Sequence, residues 1–249
     1  MGKGLHATRA LAMRELLRVV RQPLRIAVAI ATPVMVWLLF AGGFANGLRS
    51  DAVPGESFAL YLLPGMASLV VLFNAVFASI SLIEDRHSGL LQAVLASPAP
   101  RWSVVWGKLL GGGATGFAQA VVLLAGAPLL GADLSAVGVL SIATGLAFLS
   151  FGITGLGLAA AWFVDSTAGF HGIMNLVFMP MWLLSGSVFP VDGSSAWMRI
   201  VAGANPIAWC QRATRTGLDG GVDGGALLAS LAFAAVAVLL AALVMRRRS

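Results

Sequence analysis

Few side chains in this 249-residue sequence have the type and spacing that chemistry needs. A nucleophile and base can be sought in Ser185, Ser187 and His171. They share one apolar stretch, 14 to 16 residues apart. That is about 21–24 Å along a helix axis, whereas a dyad needs about 3 Å. Catalysis is not expected. The three histidines, His6, His87 and His171, are dispersed, and the single cysteine, Cys210, can form neither an internal disulfide nor a cysteine metal site. No metal site is expected. Gly107-Lys108-Leu109 lacks the upstream glycine and the following Ser or Thr of a phosphate loop, so nucleotide chemistry must reside on another chain if it is used at all.

The more informative groups lie between apolar runs. Glu84-Asp85-Arg86 is followed by Ser88, Gly89 and an apolar stripe, Leu90, Leu91, Val94 and Leu95, which ends before Pro98. Ser88 can cap a helix and Pro98 stops it. A helix of about ten residues is about 15 Å long, too short to cross a bilayer. Two placements satisfy the pattern: docking into a groove on a partner, or covering the base of the chain's own bundle.

These elements must be held by a membrane protein. Hydrophobic residues make up 59% of the chain and charged residues only 10%, against roughly 25% charged in a soluble domain. The net charge of +6 does not indicate nucleic acid, because the basic residues sit between apolar runs and at both ends instead of forming one face. Six stretches reach spanning length: 26–45, 58–83, 105–130, 136–164, 169–189 and 225–245. They are continuous rather than alternating, which excludes a β-barrel. The expected fold is an all-α integral membrane domain of six transmembrane helices, residues 1–249. An even number of spans places twelve Lys and Arg on the side of both termini and four on the other, so the termini are expected in the cytoplasm.

Residues 5–24 read as an amphipathic interfacial helix, with Arg14, Arg18, Arg21 and Arg25 on one face and Met13, Leu17, Val20 and Leu24 beside it. The alternative is a basic flank that only sets topology. In residues 194–218, Asn205-Pro206 divides a moderately apolar run into two pieces, either a re-entrant pair of half-helices or a surface loop. Gly107, Gly111, Gly112, Gly113 and Gly116 permit close helix approach, as do Gly145, Gly152, Gly155 and Gly157, either for packing within the bundle or for dimer contact or hinge motion. Asn74 and Asn175 sit within spans, at depths shared with Trp37, Phe73, Phe77, Met179 and Trp182. Buried amides in lipid either bond across helices or line a pathway, and this set is the candidate substrate surface. The spans hold essentially no ionisable group at their centres, which disfavours ion coupling.

Two motifs in order resemble the membrane subunits of type 2 ABC exporters, the drug-resistance and polysaccharide-export permeases. The first is Glu84 through Pro98 followed by Gly107-Lys108. The second is Leu184-Ser185-Gly186-Ser187-Val188-Phe189-Pro190, then Trp197, Asn205-Pro206, Arg212 and Arg215. The resemblance implies that residues 84–100 are a coupling helix whose Glu84, Asp85, Arg86, Gly89, Leu90, Leu91, Val94, Leu95 and Pro98 meet an ATPase. It implies an elbow helix at 5–24 and a re-entrant segment at 194–218, whose motif starts just before it at Pro190 and continues through Trp197, Asn205, Pro206, Arg212 and Arg215. It also implies two nucleotide-binding ATPase subunits holding ATP and Mg, a second and identical permease subunit, and a bacterial inner-membrane location. The low aromatic content, 8% with one tyrosine, points to a lipophilic or lipid-like cargo rather than a carbohydrate. A non-transporting assembly or insertase-like factor and an ion-coupled carrier are the rival readings.

Overall fold

The computed structural model describes residues 2–43, 57–96, 100–191 and 194–247, and every regular element among them is helical. Helix α1 (Gly2–Val20) is followed by α2 (Pro23–Gly43), which opens on a proline where no amide donor is needed. The 30-residue α3 (Phe58–His87) starts at Ser57, whose hydroxyl accepts from the Leu60 amide at 3.2 Å. A short α4 (Leu90–Ala96) and α5 (Trp102–Leu124) come next. Helix α6 (Ala136–Ala161) is capped by Ser135, which accepts from the Gly138 amide at 2.9 Å. The remaining helices are α7 (Thr167–Ile173), α8 (Met179–Leu183), α9 (Ala196–Ala204), α10 (Pro206–Leu218) and α11 (Gly224–Arg247).

Helix α3 is the core of the bundle, buried along most of its length, with α5, α6, α2 and α10 packed around it and α11 against α6. Glycine makes the tightest approaches possible. An added Cβ on Gly107 would stand 2.5 Å from the Leu11 Cβ, and one on Gly111 would stand 2.4 Å from that of Glu15, so α1 lies directly on α5. Phe233 and Ala237 of α11 meet Gly152 and Gly155 of α6 in the same order, so these helices run parallel. Arg86, at the end of α3, reaches the carbonyls that follow α6. The ends of α3, α6 and α11 and the described part of the N-terminal helix therefore gather at one end of the bundle, called here the inner end.

Among the described residues, five helices are long and apolar enough to cross a membrane: Pro23–Gly43, Phe58–His87, Trp102–Leu130 including a short 3-10 turn, Ala136–Ala161 and Gly224–Met245. The stretch 169–189, expected as a further continuous span, differs. It divides into α7 of seven residues, a π-helical turn Met174–Phe178 of five, and α8 of five. Pro180 explains the widening: it donates no hydrogen bond, and its ring clashes with the carbonyl four residues back in a regular helix. Gly186, at φ 82°, then ends the run in the left-handed region that favours glycine. The run still climbs from the inner end to the outer end, where the Trp182 indole donates to the Gly65 carbonyl at 2.9 Å.

The turn after this run can lie against α3 because Gly65 has no side chain. A Cβ there would lie 2.2 Å from the Ser187 carbonyl oxygen, a backbone atom that cannot swing away. Gly65→Ala is expected to destabilise the bundle by about 1–3 kcal/mol, read as a lower midpoint of thermal unfolding in detergent. Gly42→Ala, which meets nothing within 4 Å, should leave the midpoint unchanged.

Candidate functional site

The inner end carries a buried ionic cluster drawn from three helices. Lys108 of α5 is 4% exposed and points back into the bundle. Its Nζ donates to Glu15 Oε1 of α1 at 2.8 Å, to Ser81 Oγ of α3 at 2.6 Å, and to Asp85 of α3. Ser81 in turn donates to Glu15 Oε2 at 3.0 Å. Arg14 forks onto Asp85 with Nη2–Oδ1 at 2.8 Å and Nη1–Oδ2 at 3.1 Å, and Arg18 bonds Ser81 and Glu84. The hydrogen bond that Arg14 donates to Asp85 holds its guanidinium above its ordinary pKa, partly opposed by desolvation. Three cations thus face three carboxylates, the arrangement that makes buried charge tolerable.

The cluster is solid. The space beside it, bordered by Leu11, Leu91, Val94 and Val104, amounts to about 10 Å³, too little for a cargo molecule. It is a joint that locks α1, α3 and α5 together, and the partner bonds expected of Asp85 are made within the chain. Arg86 is also occupied internally. It donates to the Trp162 and Val164 carbonyls at 3.1 and 3.3 Å and to Asp165 at 3.1 Å, and it lies over the Trp162 ring. These bonds satisfy carbonyls left open at the end of α6. Of the acidic motif only Glu84 is exposed.

Immediately beyond the joint, Ser88 closes α3 and does not open the next helix. Gly89, at φ 75°, makes the turn into α4. Leu91 is buried in the core and Leu90 and Val94 face the same way, so this stripe covers the chain's own base, and Gln92, Ala93 and Ala96 point outward. Pro98 lies outside the described residues, as does the side chain of Leu95.

The candidate pathway residues do not converge. Asn74 is buried and bonds across helices, its Nδ2 donating to Gln119 of α5 at 3.0 Å and to the Val70 carbonyl at 2.9 Å. Trp37 donates to the Ala59 carbonyl at 2.8 Å. Trp182 is buried on Gly65, while Phe73 and Met179 pack partly buried on the core. Phe77 borders a separate apolar groove with Arg25 above its ring. Asn175 is exposed on the π turn, with no partner among the described residues.

At the outer end, Asn205 caps α10 by accepting from the Ile207 amide at 3.0 Å, and its amide donates to the Met181 carbonyl. Pro190 borders this region, Trp197 of α9 is exposed, and Arg212 and Arg215 project from α10. Gln211, which the motif reading missed, is buried and donates to Ser68 and Ser185 at 2.9 and 3.2 Å and to Ser187. Glu15 was missed as well. Its signal was present in the sequence, as the one acid on an otherwise basic helix.

The family model for the ABC-2 type transporter matches residues 6–218. The chain is 31% identical over 192 residues to nodulation protein J of Rhizobium leguminosarum bv. viciae, covering 72% of this chain and 69% of that protein. It is 23% identical over 202 residues to ycf38 of Porphyra purpurea, named as a transport permease, covering 80% and 69%. It is 24% identical over 193 residues to the daunorubicin resistance ABC transporter permease protein DrrB1 of Streptomyces coeruleorubidus, covering 75% and 64%.

Removing one member of the cluster strands its partners. Lys108→Met is expected to cost about 3–5 kcal/mol of stability, measured by unfolding in detergent. Adding Glu15→Gln should recover part of the loss, because the two residues are coupled.

Proposed function

Given that the chain belongs to the ABC-2 type transporter family as a membrane subunit, we propose that it exports a lipophilic small molecule or lipid-like cargo, driven by separate ATPase subunits. The observation that carries this reading is the position of α4. It hangs on a one-glycine turn directly below the ionic joint, with its outer face uncovered. A force applied there passes through a short link into three helices that cannot shift independently. The ATPase meets the exposed side of this corner, Glu84, His87, Gln92, Ala93 and Ala96, while Leu91 and Val94 keep α4 attached to the permease.

Two ATPases act on two copies of this chain. The exposed Asn175 supports a second copy or a pathway at that face, because an unpaired amide in hydrocarbon is costly. The run from α7 to α8 makes the sixth crossing; the turn to Gly186 completes its length. Helix α1 serves as the elbow, anchored inward by Arg14 and Arg18 with Met13, Leu17 and Val20 turned toward lipid. Helices α9 and α10 form the re-entrant pair. The Lys and Arg distribution supports an inner end that faces the cytoplasm, with both termini there, and the family resemblance supports a bacterial inner membrane. The resemblance to a protein named for daunorubicin resistance supports a small-molecule cargo.

The test uses the outward face of α4. Gln92→Glu with Ala93→Glu should leave insertion and thermal stability unchanged, yet lower ATPase co-purification and ATP-dependent transport in proteoliposomes by about tenfold or more. Leu91→Asp should instead destabilise the permease itself, because it buries a charge. Transport that persists without nucleotide and collapses with an uncoupler would sink the proposal in favour of an ion-coupled carrier.

A further inference from the structure

Helix α3 carries a second polar centre at its far end. Tyr61 and Asp85 are 24 residues apart along it, roughly 36 Å of helix. Around Tyr61 a cleft of about 530 Å³ opens between the turn 184–191, α9 and α10. Among the described residues three arginines line it, Arg199, Arg212 and Arg215, against one acid, Asp219.

The floor of the cleft is organised by Gly186. Its left-handed conformation presents a carbonyl that accepts from the Tyr61 hydroxyl at 3.1 Å and from Arg215 Nη2 at 2.8 Å. The Arg215 guanidinium also lies 3.8 Å from the centre of the Tyr61 ring. These contacts hold the guanidinium fork at a fixed angle. Its Nε–H, shielded from bulk water, has no partner among the described residues. Beside it, Gln211 is 3% exposed and spends its amide hydrogens on serine hydroxyls, so its Oε1 is likewise unpartnered. A buried donor and acceptor left unbonded cost free energy, and a molecule seated in the cleft relieves that cost. Arg199 has one Nη bonded to the Ser194 carbonyl at 2.7 Å, and Arg212 is exposed, so both can turn toward an oxyanion.

The surroundings are apolar. Trp197, Ile200 and Val201 of α9 are exposed, and so is Phe189. A cationic cleft beside an exposed aromatic and aliphatic surface matches an amphiphile with an anionic head. We propose that this cleft binds the phosphate headgroup of an anionic phospholipid, with Arg199, Arg212 and Arg215 on the phosphate and Gln211 Oε1 accepting from a headgroup hydroxyl. Its position in the outer leaflet rests on the orientation argued above; its chemistry does not.

Native mass spectrometry of the full chain, released from detergent after incubation with phosphatidylglycerol, phosphatidylcholine or inorganic phosphate, tests the assignment. Phosphatidylglycerol should be retained about tenfold more than phosphatidylcholine, and Arg199→Gln with Arg212→Gln should cut that retention about tenfold without moving the thermal midpoint. Equal retention of both lipids, or unchanged retention in the outer-end variant, overturns the proposal. Retention of inorganic phosphate alone, lost in the same variant, overturns the lipid assignment and gives the arginines to a soluble anion. The measurement needs neither nucleotide nor ATPase, so its failure leaves the transport reading untouched.

Discussion

Lys108 enters a bundle where no water can solvate it, and the inner half of the molecule is arranged around that fact. An ammonium group in such a place is tolerable only with carboxylates at hydrogen-bond distance, and Glu15 and Asp85 supply them from two other helices. Because Arg14 and Arg18 balance the remaining charge, α1 is bound to α3 by ions as well as by its glycine-seated contact with α5. Residues 93 and 23 positions apart in sequence from Lys108 are thereby fixed in one geometry. The cluster specifies how the helices meet as much as how firmly they hold.

The long central helix joins this cluster to the polar floor at the outer end. It is nearly free of exposed surface over its middle, and its polar side chains there bond to other elements, Asn74 to Gln119 of α5 and Ser68 to Gln211 of α10, while Tyr61 donates to the Gly186 carbonyl. A rod of this kind has few ways to bend except at its ends. Both ends carry a glycine in the left-handed conformation close by, Gly89 in its own chain continuation and Gly186 in the turn that covers Tyr61. The places where the backbone turns sharply are thus next to the places where charge is concentrated.

Much of this was legible in the sequence. Continuous apolar runs marked the long helices, because the bilayer imposes length and composition on each span alone. The Asn205-Pro206 break, the short amphipathic helix after α3 and the arginine face of α1 were likewise local patterns, and each corresponds to an element in the structure. What periodicity cannot show is the direction a face is turned. The stripe of Leu90, Leu91 and Val94 reads the same whether it meets a partner or its own bundle, and only packing reveals that it faces inward. The fifth apolar stretch looked uninterrupted because a π turn leaves no mark in hydropathy; Pro180 was its one visible cause. The ionic joint was hidden for a different reason. Its members lie on three helices, and pairing across such distances is a property of the tertiary fold, although a lone glutamate among arginines and a lysine at the head of a span were each out of place on their own.

The inward turn of α4 has a consequence for biogenesis. A helix whose greasy side waited for another protein would be adhesive whenever that protein was scarce, and newly made copies would clump or be degraded. Here Leu90, Leu91 and Val94 are turned onto the chain's own bundle, so this side of α4 needs no associate to shield it.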